Sequence, residues 1–225
     1  MSFQLVSVII PTYNRSSYVQ AAIDSALAQT YPEIEIIVVD DGSTDDTEII
    51  LHKYGERIKY IKQENQGESV ARNVAIQASQ GDYVALLDSD DLWQPHKIEK
   101  QIALFQGQPE IGLVSCHVGV IDAWGNEVSP GPVHPEQQSG AVSLETLVLN
   151  SPVHASTILV RRGCLEELGL FDTSIRYGED WDFCLRVASK YRIGFETGPP
   201  LAMLRTHGEA QSRYIISVSY THLTL

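Results

Sequence analysis

Short apolar runs alternate with longer amphipathic ones through the first half of the chain. "VSVIIP" (6–11), "IEIIVVD" (34–40), "IKYIK" (58–62) and "YVALL" (83–87) are rich in β-branched residues and bounded by turn-formers. That is the pattern of strands buried on both faces. Between them, "SSYVQAAIDSALAQT" (16–30) sets Val19, Ala22, Ile23, Ala26 and Leu27 on one helical stripe. "STDDTEIILHKY" offers Ser43 as a helix cap and puts Asp45 and Asp46 in the first turn, where the helix dipole favours negative charge. "GESVARNVAIQAS" (67–79) predicts a helix with Val70 and Val74 one turn apart. Strand, helix, strand, helix predicts a parallel sheet with crossover helices, which binds ligands at the carboxyl ends of its strands. Pro11-Thr12-Tyr13-Asn14, Asp40-Asp41-Gly42-Ser43 and Asp88-Ser89-Asp90-Asp91 all stand at such ends. Three polar clusters are therefore expected on one rim.

The second half is less regular. A helix is expected from about Pro95 to Phe105, its proline tolerated in the first turn. "IGLVSCHVGVID" (111–122) reads as one strand and "WGNE" as a turn. Residues 129–140, with Pro130, Pro132, Pro135, Gly131 and Gly140, read as a loop near the active rim. "STILVRR" (156–162) reads as a strand and "EDWDFCLRVASKY" (179–191) as a helix. The final "SVSYTHLTL" has strand-like residues but no partner, and is expected to be a non-native tail.

Length and charge narrow the class. At 225 residues and 43% hydrophobic, the chain suits one large α/β domain or two small ones. A net charge of -13 argues against a nucleic-acid partner, since phosphate backbones recruit Lys and Arg. It leaves open a nucleotide bound through a metal. Cys116, Cys164 and Cys184 are far apart and form no CxxC, which suggests reduced thiols in a cytosolic compartment. "MSFQLVSVII" does not read as a signal peptide. No apolar run approaches the roughly 20 residues of a membrane helix. The expected location is cytoplasmic, with peripheral association at the inner face of a membrane still open.

Asp88, Asp90 and Asp91 are crowded at the end of a hydrophobic strand. Close carboxylates repel one another unless a cation sits among them. Hard oxygen ligands suit Mg²⁺ or Mn²⁺, and Mg²⁺ usually takes one or two protein carboxylates while substrate phosphates complete its shell. The cluster therefore suggests a phosphorylated substrate; the competing reading is a helix cap. Asp41 could accept a nucleobase N–H, or simply form an Asx turn before a helix. Arg72, on the helix after Gly67, could reach a phosphate or base, or lie on a solvated helix face. Trp93 and Trp181 could stack on sugar C–H faces, with core packing favoured for Trp93. Neither GxGxxG nor GxxxxGK[ST] is present, which argues against a dinucleotide oxidoreductase and a P-loop NTPase.

"VSVIIPTYNR", "VVDDGSTDDT", "NQGESVARNVAI", "LLDSDDLWQP" and "GEDWDFCLRV", in this order, resemble the family 2 glycosyltransferases of the GT-A fold. The resemblance runs from about Val6 to about Ser212. It implies a Rossmann-like, mostly parallel central sheet flanked by helices, with a smaller mixed acceptor-side region. A single domain over 1–215 would divide into a nucleotide-sugar-binding half (1–105) and an acceptor-binding half (106–215), leaving 216–225 as the tail. The implied activity moves one sugar from a nucleotide diphosphate sugar to an acceptor hydroxyl with inversion, using Mn²⁺ or Mg²⁺. Carried over by position, Asp90 is the principal metal ligand and Asp88 contacts the ribose or metal. His207 touches the metal or diphosphate. Pro11, Tyr13 and Asp41 frame the nucleobase, Arg72 and Ser89 lie near the donor, and Asp91 caps or supports the loop. Asp180 is the general base, with Glu179 and Asp182 as competitors, and a helix start is expected to favour its charged form. His154 could line the acceptor site, though a packed or solvent-facing role is expected first. A UDP-sugar is favoured because Asp41 suits the uracil N–H. The acceptor is a saccharide or lipid-linked. The QxxRW motif and membrane helices of processive members are absent from the sequence. The alternatives are a non-catalytic nucleotide-sugar-binding module and, less well supported, a sugar-phosphate nucleotidyltransferase, whose Gly-rich loop "PTYNRSS" lacks.

Overall fold

The structure is a computed structural model that describes residues 3–129, 131–134, 137 and 140–208. The tail expected at 216–225 lies outside the described residues. The first half follows the predicted alternation: β1 (Val6–Thr12), α1 (Val19–Leu27), β2 (Ile34–Asp40), α2 (Thr47–His52), β3 (Lys59–Lys62), α3 (Glu68–Gln77) and β4 (Tyr83–Leu86). Then come β5 (Leu92–Trp93), α4 (Lys97–Phe105), β6 (Ile111–Cys116), β7 (Val118–Ile121), β8 (Glu127–Ser129), β9 (Ala141–Val142) and α5 (Leu144–Asn150). The chain continues with β10 (Leu159–Arg161), α6 (Arg162–Leu168), α7 (Glu179–Ala188), β11 (Arg192–Glu196) and β12 (Ala202–Arg205).

An eight-stranded sheet in the order β3-β2-β1-β4-β10-β6-β11-β9 forms the centre, and β5-β12-β7-β8 form a smaller mixed sheet. In the main sheet β10 and β9 run against the other strands. The apolar runs are continuous because both faces of the sheet are covered. Val6, Val8 and Ile10 pack with Val19, Ala22, Ile23 and Ala26 of α1 on one face. Ile9, Ile37 and Val39 pack with Ala71, Ala75 and Ile76 of α3 on the other. Val70 and Val74 are thus not the centre of the α3 stripe; the small alanines are, because they let the helix lie close to the sheet.

Three further expectations are corrected. The run 111–122 is two strands in two sheets, with His117 between them accepting the Leu201 N–H on its carbonyl. Hydrophobicity continues through the switch, so periodicity cannot mark it. The start of "STILVRR" is a 3-10 turn at Ala155–Thr157, not strand. Ser43 does not cap α2: its Oγ accepts the Asn14 N–H, and Asp45 accepts the Thr47 N–H at the helix start instead.

Candidate active site

The carboxyl ends of β1, β2 and β4 meet as expected, and hydrogen bonds lace the first two together. Asn14, the only non-glycine with positive φ among the described residues, accepts the Thr44 N–H on its side chain at 2.8 Å. Asp40, rather than Asp41, makes the local turn by accepting the Ser43 N–H at 2.8 Å. Asp41 is buried and accepts from Gln63 Nε2 (2.7 Å) and from the Gln66 and Gly67 N–H groups (2.9 and 2.8 Å). This ties the β2 end to the start of α3. Gly42 between them has φ +81, and a Cβ there would lie 2.9 Å from the Asn65 backbone nitrogen. Buried Gln63 Oε1 has no hydrogen-bond partner among the described residues. Pro11 is buried in β1 opposite Val39, while the Tyr13 ring is exposed.

The acidic loop after β4 sorts its carboxylates by environment. Asp91 is buried, accepting Ser156 Oγ at 2.6 Å and the Arg205 N–H at 2.9 Å. Burial and then the charges of Asp90 and Asp88 push its carboxyl well above the usual range. Asp91 is therefore structural, as expected. Asp90 Oδ2 lies 2.9 Å from His207 Nε2 and 3.4 Å from Arg15 Nε. Burial opposes its ionisation, but the His207 hydrogen bond and the Arg15 charge outweigh it and hold the carboxyl below its ordinary value. The His207 ring packs on Tyr18 at 4.6 Å. Asp88 donates its N–H to Ser156 Oγ (3.1 Å) and accepts Arg72 Nη2 (2.7 Å). Ser89 is buried within the turn.

Arg72 is 1% exposed, so it is not a solvated surface arginine. Its guanidinium pairs at once with Glu68, Asp88 and Glu179, three carboxylates from three parts of the chain. A buried cation so surrounded is compensated, whereas removing it would strand buried negative charge. Glu179 is the first residue of α7, so this pairing brings the α7 start to the acidic loop although the two are distant in sequence. Asp180 follows, its Oδ1 accepting the Trp181 N–H at 2.8 Å. Its carboxyl is raised, not lowered as the helix-dipole expectation had it. Burial is the largest cause, Arg72 pulls the other way, and Glu179 and Asp88 add to the rise. Asp182 turns away and pairs with Arg186 at 2.8 Å.

The two candidate sugar-stacking tryptophans separate. Trp93 is 4% exposed, donates its indole N–H to the Ser156 carbonyl, and lies under Lys97 Nζ at 4.2 Å; it is core. Trp181 is 43% exposed. His154 is buried beside His134, and Trp124 lies on the surface. The cysteines are buried and unbridged. Arg15, Ser156 and Arg205 were not singled out by sequence reasoning. Arg15 stood inside the quoted "PTYNR", but nothing in the sequence marks Ser156 or the Arg205 backbone as partners of Asp91.

Asp90, Asp88 and His207 carry carboxylate oxygens and an imidazole, donor types that a divalent cation takes when substrate phosphates complete its shell, although among the described residues no group of three His, Cys, Asp or Glu side chains is placed to hold an ion. No helix among the described residues is long and apolar enough to cross a membrane.

Residues 7–168 match the family described as Glycosyl transferase family 2. An uncharacterized glycosyltransferase of Rickettsia typhi is 41% identical over 194 residues, covering 83% of this chain and 60% of the relative. The chain thus spans about three fifths of that relative's length. TarS 1-349 of S. aureus in complex with UDP-GlcNAc superposes with a TM-score of 0.75 at 24% identity, covering 98% of this chain and 68% of that one. The mannosyltransferase PcManGT of Pyrobaculum calidifontis, in complex with GDP-Man and Mn²⁺, gives 0.73 at 21% identity over 95% of this chain and 60% of that one. At such identities the two structures speak to the fold, which is that of the GT-A glycosyltransferases.

Proposed function

The chain belongs to glycosyl transferase family 2, and on that premise we propose that it moves one sugar from a nucleotide diphosphate sugar to an acceptor hydroxyl with inversion. The observation that carries this reading is the triple pairing of Arg72. It holds Asp88 of the acidic loop and Glu179, the neighbour of Asp180, against one guanidinium.

The nucleobase is assigned to the β1–β2 rim. Asp41 and the unpaired Gln63 Oε1 offer acceptors for a ring N–H, and the exposed Tyr13 ring offers a face to stack on. A uridine base has such an N–H, and the UDP-GlcNAc complex of TarS makes a UDP-sugar the favoured donor. Asp90, with Asp88 and His207, would hold Mn²⁺ or Mg²⁺, which when bound stabilises charge on the leaving diphosphate. Arg15 adds fixed positive charge beside Asp90. Arg72 is engaged by three acids, so its role is to position Asp88 and the α7 start rather than to meet the donor directly. Asp180 takes the proton of the acceptor hydroxyl as that oxygen attacks the anomeric carbon and the bond to the diphosphate breaks. One displacement of this kind inverts the centre. Burial raises the Asp180 carboxyl, which makes it a stronger base, and the Arg72 charge opposes that rise.

Asp180→Asn tests the assignment. Transfer should fall by about 100- to 10,000-fold, the span of a lost general base, with UDP affinity by calorimetry changed less than about twofold. Transfer at the wild-type rate would remove Asp180 from its role. UDP binding without transfer in the wild-type chain, across saccharide acceptors, would favour a non-catalytic binding module.

A further inference from the structure

We propose that Trp181, with Tyr177, forms a platform on which one neutral sugar ring of the acceptor stacks, a subsite beside the base that sets which acceptors are used. This rests on Asp180 being the base.

Trp181 is unlike Trp93, the tryptophan of the acidic loop. Trp93 has its indole N–H on the Ser156 carbonyl and is sealed in the core. Trp181 also has its N–H satisfied, donating to the Leu147 carbonyl at 2.7 Å, yet 43% of the residue stays exposed. The hydrogen bond fixes the ring without burying it. Tyr177, 67% exposed, stands just before the helix, and Leu144 and Val148 are exposed on α5, the helix whose Leu147 carbonyl holds the indole. An isolated exposed tryptophan is unremarkable, but a rigid indole held by one bond against a second helix loses little entropy when a ligand covers it.

Position suggests the occupant. Asp180 must come within hydrogen-bond reach of the acceptor hydroxyl, so the molecule bearing that hydroxyl passes the first turn of α7, where Trp181 is the exposed aromatic residue. A pyranose has an apolar C–H face and a rim of hydroxyls. It matches an indole face for the first and the carboxylate of Asp180 for the second. An anionic lipid surface is disfavoured by the net charge of -13.

The test uses the 225-residue chain with UDP and Mg²⁺, and as probes the methyl β-glycosides of glucose, galactose and N-acetylglucosamine. Saturation-transfer NMR reads which sugar protons are touched, and titration gives affinity. The expected result is binding of at least one glycoside through its ring C–H protons. Trp181→Ala should weaken it about tenfold or more, and Trp181→Phe, which keeps an aromatic face, by less than about threefold. UDP affinity should be unchanged in both variants, and both, lacking the bond to the Leu147 carbonyl, should be destabilised alike and still unfold in one cooperative transition. Equal glycoside binding by Trp181→Ala, or no glycoside binding by wild type while UDP binds, overturns the platform alone. Trp181-dependent sedimentation with phosphatidylglycerol vesicles in place of sugar binding assigns the surface to a membrane and also overturns it. Failure of wild type to bind UDP overturns the donor reading, and the platform with it.

Discussion

Asp91 is buried against Ser156 and the Arg205 backbone, while Asp90, one residue earlier, faces His207 and Arg15. The same side chain thus supports the loop in one place and stands beside a histidine and an arginine in the other, because burial raises one carboxyl while the His207 hydrogen bond and the Arg15 charge lower its neighbour. Buried His154 shows the same control by surroundings. Its Nε2 has no partner among the described residues, and burial, helped by nearby His134, lowers its pKa from 6.5 to about 4. In the unfolded chain the ring takes its proton near the ordinary value. Between about pH 6.5 and 4 the unfolded state therefore binds more protons than the folded one, and stability falls as pH falls through that window. Above it the contribution is fully present. Urea unfolding at pH 7.5 and 4.5 should show wild type losing stability relative to His154→Phe by at most about 3 kcal/mol, the limit set by the pKa gap. A difference that does not change with pH would mean His154 is not held neutral.

The element that decides the geometry of the acidic loop is the 3-10 turn at Ala155–Thr157. Ser156 Oγ receives the Asp88 N–H and donates to Asp91, the Ser156 carbonyl receives the Trp93 indole, and Thr157 Oγ1 bonds Ser115. A loop carrying three aspartates is thereby fixed from below by a turn that hydrophobic patterning presents as strand. Ser156→Ala leaves Asp91 and the Asp88 N–H each short of a partner in a buried place. It should cost about 1–3 kcal/mol in urea unfolding, and UDP affinity in Mn²⁺ should weaken severalfold because Asp88 and Asp90 lose their support. Wild-type stability and affinity in that variant would show that the turn does not hold the loop. By contrast α1 was legible in advance: Val19, Ala22, Ile23 and Ala26 are all buried, as their spacing requires, although Leu27 is only partly so.

At the scale of the molecule, Glu68, Asp88, Glu179 and Asp180 gather around Arg72, with Asp90 nearby beside Arg15. Excess negative charge at one rim should make nucleotide and cation bind together rather than separately. Thermal unfolding with UDP and Mn²⁺ should show a larger rise in melting temperature than the sum of the two separate rises, and EDTA should abolish the excess. At a ligand concentration about 100 times Kd the joint stabilisation would be about 2.7 kcal/mol. Strictly additive rises would remove the cation from the donor site. The sequence by itself determined the alternation of strands and helices, the convergence of three polar clusters on one rim and the family. The first two depend on local periodicity and on the direction shared by strands of a parallel sheet; the family rests on the resemblance of five motifs in order. Only the tertiary structure decided that Arg72 is buried among acids from three segments, that the 111–122 run divides between two sheets, and that Trp181 is exposed where Trp93 is sealed. Those outcomes depend on which distant residues meet, and burial, which sets both charge state and exposure, exists only once they have met.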